Sequence, residues 1–138
     1  MDELTLKNII NKQRNFFDSG KTLPLSFRKS MLKKLYDAVK GSEKAITCAL
    51  KADLGKSEYE SYMCEIGLVL SEISYMLKSL KKFSAPKRVK TPLAQFKSKS
   101  FTLPSPYGNV LIMSPWNYPF LLTLSPLCNA LAAGNTAV

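Results

Sequence analysis

The stretch Ser114-Pro-Trp-Asn-Tyr-Pro-Phe120 gathers the chain's single tryptophan, an asparagine, a tyrosine and two prolines into seven residues. These residue types suit one kind of chemistry. The prolines stiffen the backbone, Trp116 and Tyr118 supply rigid walls, and Asn117 between them offers an uncharged NH2 donor. A neutral donor held in place can stabilise developing negative charge without ionising, which is what an oxyanion site requires. The same residues also suit a tight turn in which Asn117 bonds its own backbone. Other chemical groups are sparse. There is no histidine, and Cys48, Cys64 and Cys128 lack metal-ligand spacing, so no metal site is expected and the thiols are expected to be free and buried.

Whether Asn117 can act depends on the elements beside it. Val110-Leu-Ile-Met113 is continuously apolar, as in a strand buried on both faces of a parallel sheet. Leu121 to Ala133 carries Leu124, Leu127, Cys128 and Leu131 at helical spacing, with Pro126 placed near the helix start, where a missing amide is tolerated. Gly134-Asn135 closes that helix, and Thr136-Ala-Val138 begins another strand. In open α/β sheets, ligands bind beyond the carboxyl ends of the strands, where the loop and the helix N-terminus present unpaired donors. Positions 114–120 occupy that place. A crossover helix packs against the sheet only once its second strand joins, so a chain stopping there reads as a fragment of a longer protein. A complete doubly wound sheet would need on the order of 100 further residues.

Upstream, the pattern is helical. Leu4 to Ser19 has a loose apolar stripe that Gly20 can end, and a loop containing Pro24 follows. Leu32, Leu35, Tyr36 and Val39, then Ile46, Ala49 and Leu50, form two helices broken at Gly41-Ser42 and stopped by Gly55. Ser57-Glu-Tyr-Glu60 has capping-box spacing and opens a helix of ~25 residues with Tyr59, Met63, Ile66, Leu70, Ile73, Leu77 and Leu80 on its apolar face. It ends near Ser84-Ala-Pro86. From Phe96 to Leu103 the period is two, predicting a partly exposed antiparallel strand.

The 138 residues suffice for one core, and 46% are apolar. No apolar run approaches the ~18 residues of a membrane span, and the N-terminus lacks signal-peptide character, so a cytoplasmic location is expected. The net charge is +10, but every acid lies at or before Glu72, leaving Lys78, Lys81, Lys82, Lys87, Arg88, Lys90, Lys97 and Lys99 without counter-charge. Such a stretch attracts anions and raises the alternative of a nucleic-acid or anionic-surface module. No aromatic RNA signature or finger spacing accompanies it, so a solvated or assembly-facing stretch is preferred and no nucleic-acid partner is expected.

The segment SPYGNVLIMSPWNYPFLLTLSPLCNALAAGNTAV closely resembles aldehyde dehydrogenases, particularly the short class 3 type that oxidise medium-chain, fatty and aromatic aldehydes. FDSGKTLPLSFRKSMLKKLYDAV, ALKADLGKSEYESY and VLSEISYMLKSLKKF resemble the same group's N-terminal helices, so the similarity covers roughly residues 14–138. The resemblance implies an α/β fold of N-terminal helices plus the first β-α-β part of a Rossmann-like cofactor domain, incomplete in this chain. Residues 1–89 would be the helical part, 90–105 a strand extension for subunit contacts, and 106–138 the first strand, active-site loop and helix. It implies NAD or NADP as cofactor, an aldehyde substrate and commonly a homodimer. By position, Asn117 becomes the side-chain donor to a thiohemiacetal oxyanion, Met113, Ser114, Pro115 and Trp116 line the dinucleotide site, and Tyr118 and Leu121 lie along the aldehyde channel. The family's nucleophilic cysteine and general-base glutamate match no residue here, so the chain alone is expected to be inactive. A shortened protein that associates with full-length subunits is the structural alternative.

Overall fold

In a computed structural model that describes residues 2–138, helix α1 spans Glu3–Asp18, capped by Asp2, whose carboxylate accepts from the Thr5 amide at 3.2 Å. Gly20 ends the segment with φ of +72°, a conformation that costs glycine nothing. Two helices follow as expected, α2 (Leu25–Gly41) and α3 (Glu43–Leu54), the second stopped by Gly55 in the left-handed region. Ser57 caps the next helix by accepting from the Glu60 amide at 3.1 Å. Only this half of the capping box forms among the described residues.

That helix is not uniform. It runs as α4 (Glu58–Ser61), a π-helical turn (Tyr62–Ile66) and α5 (Gly67–Phe83). The π turn inserts one extra residue and so rotates everything N-terminal to it. The apolar stripe therefore fails where it was expected to begin. Tyr59 and Met63 are 75% and 51% exposed, while Ser61 and Glu65 are buried in their place. From Ile66 onward the α-helical period holds, with Val69, Leu70, Ile73 and Leu80 in the core.

The core lies between α2, α5 and the last helix, α6 (Pro119–Ala133), where Leu32, Val39, Cys128 and Ala132 meet the α5 stripe. Each fully buried aliphatic side chain there contributes roughly 1.5–3 kcal/mol. Arg28 fastens the far end. Its guanidinium donates to the Thr22, Leu23 and Ala132 carbonyls at 3.0, 2.6 and 3.4 Å and to Ser84 Oγ at 3.3 Å, joining the α1–α2 loop, α5 and the final turn of α6.

Two small sheets complete the fold. Strand β1 (Lys87–Val89) pairs antiparallel with β2 (Ser100–Thr102), so the period-two segment is shorter than expected and its partner lies in the basic stretch. Around Phe96 the chain turns instead, after a 3-10 turn at Leu93–Gln95. Strand β3 (Asn109–Val110) pairs parallel with β4 (Thr136–Ala137) across α6, forming the expected β-α-β unit. Its bonding continues to Ile112, whose amide donates to the Val138 carbonyl at 2.9 Å. The run is not buried on both faces, however. Within the described residues only two strands form this sheet, and Leu111 and Met113 stand 70% and 84% exposed.

Two further expectations are corrected. Helix α6 starts at Pro119, which takes the first-turn position, so Pro126 lies inside the helix rather than near its start. The thiols are free, but only Cys128 is buried; Cys48 is exposed and Cys64 half-buried, because neither faces the α2–α5–α6 core. Among the described residues no helix is long and apolar enough to cross a membrane, and no cluster of metal-ligating side chains occurs.

Candidate active site

The loop between β3 and α6 is anchored at both ends and open in the middle. At its start, the ladder bond from Ile112 fixes the strand. At its end, Thr123 Oγ1 lies 2.6 Å from the Pro119 carbonyl and 2.7 Å from Ser114 Oγ. The carbonyl can only accept, so the threonine hydroxyl donates to it and accepts from Ser114, folding the loop onto the first turn of α6. Between the anchors, the amides of Met113, Ser114, Trp116, Asn117 and Tyr118 donate to no acceptor among the described residues. Asn117 is exposed, and no hydrogen bond ties its carboxamide to the loop, as the tight-turn reading would require.

Tyr118 directs the loop. Its φ of +49° is the single positive value at a non-glycine residue among the described residues, and it serves as N-cap of α6 in the left-handed region. A tyrosine there cannot cap with its own side chain, leaving the first amides of α6 in need of an acceptor. Glu65 supplies it. Its Oε2 accepts from the Phe120 amide at 2.8 Å and the Leu121 amide at 3.1 Å. The carboxylate is fully buried, and its other oxygen accepts from Lys56 Nζ in a buried ion pair. Lys56 Nζ also lies 4.1 Å from the centroid of the Tyr118 ring, within cation–π range.

This arrangement corrects one sequence expectation. The N-terminus of α6 was expected to present unpaired donors, yet two of its amides already hold a carboxylate. An anionic ligand is therefore left with the free amides of the loop rather than with the helix end. Those amides can donate to the polar groups of a ligand, and the Trp116 ring, 84% exposed, provides an open apolar face.

Of the sequence-predicted channel residues, Tyr118 and Leu121 come together. They line one depression of about 290 Å³ with Met63, Cys64 and Leu68 from the π turn and the start of α5. The shift that exposes Met63 thus turns it towards this depression. Met113 and Trp116 stand clear of it, on the exposed side of the loop. Sequence reading missed Glu65 and Lys56. The available signals were a carboxylate flanked by apolar Cys64 and Ile66, and a glycine, Gly67, in the interior of a long helix.

The fold and this loop together define a helical layer joined to a parallel β-α-β unit with an open loop after its first strand. The chain matches the sequence model of the aldehyde dehydrogenase family over residues 1–138 and belongs to that family. It is 47% identical over 135 residues to the 4,4'-diaponeurosporen-aldehyde dehydrogenase of Staphylococcus aureus, covering 95% of this chain and 29% of that protein. It is 42% identical over 134 residues to the dimeric NADP-preferring aldehyde dehydrogenase of Canis lupus familiaris, covering 96% and 29%. Its structure matches the substrate-bound state of Staphylococcus aureus AldH with a TM-score of 0.91 at 45% identity, over 99% of this chain and 30% of that one. The chain thus spans less than a third of the length of these relatives.

Proposed function

We propose that this chain supplies the oxyanion donor, part of the dinucleotide ledge and one wall of the aldehyde channel to an NAD(P)-dependent aldehyde dehydrogenase that oxidises aldehydes to carboxylic acids. The observation that carries this reading is Asn117: an exposed carboxamide, not bonded to its own loop, on a segment anchored at both ends beyond a parallel strand. When a thiolate attacks an aldehyde, the carbonyl oxygen takes up negative charge. The Asn117 NH2 group donates to that oxygen, and as an uncharged donor it gains most as the charge grows. Tyr118 and Leu121 border the apolar depression, which suits an apolar aldehyde tail. Met113, Ser114, Pro115 and Trp116 hold the dinucleotide through free loop amides and exposed apolar faces. NAD or NADP supplies the hydride acceptor. The paired strands β1 and β2, exposed apart from half-buried Ser100, suit a subunit contact in a homodimer.

The test is Asn117→Ala in a complete aldehyde dehydrogenase carrying these residues, with turnover and NAD(P) binding measured separately. Turnover is expected to fall by ~10²-fold, the cost typical of losing one oxyanion donor, with NAD(P) affinity little changed. Unchanged turnover would reject the oxyanion role. Weakened NAD(P) binding with normal turnover would reassign Asn117 to the cofactor.

A further inference from the structure

We infer that Glu65, held by Lys56, is the positioning residue of the active-site loop, a role that rests on the oxyanion reading of Asn117. An N-cap residue ordinarily satisfies the second and third amides of its own helix. Here the N-cap is Tyr118, and the acceptor comes from the π turn, 55 and 56 residues away in sequence from Phe120 and Leu121. The loop therefore cannot set its own geometry. Its exit is fixed by a carboxylate on another helix, which holds the chain two residues beyond Tyr118 and three beyond Asn117.

Three features make Glu65 more than a surface cap. It is fully buried, so water cannot take its place on the Phe120 and Leu121 amides. It lies within the π turn, and it faces α6 from the wall that also lines the Tyr118–Leu121 depression. Its partner Lys56 reaches past it to the Tyr118 ring, so one ion pair holds both the helix amides and the residue that turns the chain into them. A buried pair of this kind adds little net stability, but removing one partner strands a charge. A role in placing Asn117 accounts for the arrangement.

The experiment avoids a stranded charge by replacing both partners in a complete aldehyde dehydrogenase carrying these residues. Lys56→Met with Glu65→Gln removes both charges but keeps a carbonyl oxygen for the α6 amides. Lys56→Met with Glu65→Leu removes that acceptor as well. The Leu pair is expected to lose at least about tenfold in kcat, with KM for NAD(P) within about twofold, because misplacement of a reacting group acts on turnover. The Gln pair is expected to recover most of that loss. If Glu65 acts through Asn117, the Leu pair costs little more once Asn117→Ala is present, since coupled residues are not additive. Equal kcat for the Gln and Leu pairs, or an undiminished loss in the Asn117→Ala background, overturns the positioning role while leaving the oxyanion reading intact. If Asn117→Ala alone leaves kcat unchanged, the oxyanion reading fails and this inference fails with it.

Discussion

Tyr118 carries a left-handed backbone, which for a residue with a Cβ costs roughly 1–2 kcal/mol, and the Lys56 contact and the Glu65-held helix start stand against that cost. Cys128 shows the opposite use of burial. Its thiol is pushed up to about 12, first by burial and then by the nearby charge of Glu72. The unfolded thiol ionises from 9.0, so above that pH the unfolded chain sheds a proton that the folded one keeps. The stabilising contribution is therefore whole below pH 9.0 and declines as pH rises towards about 12. Urea titrations across this window should show a shallower fall in stability for Cys128→Ala than for the parent; equal slopes would mean that the thiol is solvated. At neutral pH, a thiol reagent should modify exposed Cys48 in the folded chain and Cys128 only after denaturation.

Among the elements, the π turn has the largest consequence. The Gly67 amide donates to the Tyr62 carbonyl, and a Cβ at Gly67 would lie 3.0 Å from that oxygen and 3.2 Å from Tyr62 Cε1. Alanine gains about 0.5–1 kcal/mol over glycine in a helix interior, but crowding against fixed backbone costs about 1–3 kcal/mol. Gly67→Ala is accordingly expected to destabilise the chain by roughly 1 kcal/mol in urea titration. A gain in stability would show that the segment relaxes to an ordinary α-helix, which would also withdraw Glu65 from α6.

At the scale of the whole molecule, charge dominates. The basic side chains from Lys78 to Lys99 are all exposed, and none joins an ion pair among the described residues. Lys81 and Lys82 lie in the last turn of α5, where cations complement the helix dipole. A nucleic-acid titration is expected to show only weak, non-specific binding at roughly 0.15 M salt. Tight binding with a steep salt slope would instead favour an anionic-surface module. On the proposed reading, in which the chain supplies the oxyanion donor but not the nucleophile, the purified 138-residue chain is expected to oxidise no aldehyde with NAD or NADP. Turnover by that chain alone would overturn this assignment of the chemistry.

The helices, their stops at Gly20, Gly55 and Gly134, and the parallel β-α-β unit were legible in the sequence, because apolar period and left-handed glycines are local properties of the chain. The Pro-Trp-Asn-Tyr-Pro loop was legible for the same reason: rigid residues around one neutral donor declare themselves in a few positions. The tertiary structure alone decided that Tyr59 and Met63 face outward, that Glu65 caps a helix 55 residues downstream, and that Lys56 covers Tyr118. A single π insertion turns one face of a helix away from its expected direction, and a carboxylate becomes a cap only where another helix brings its free amides within hydrogen-bond reach.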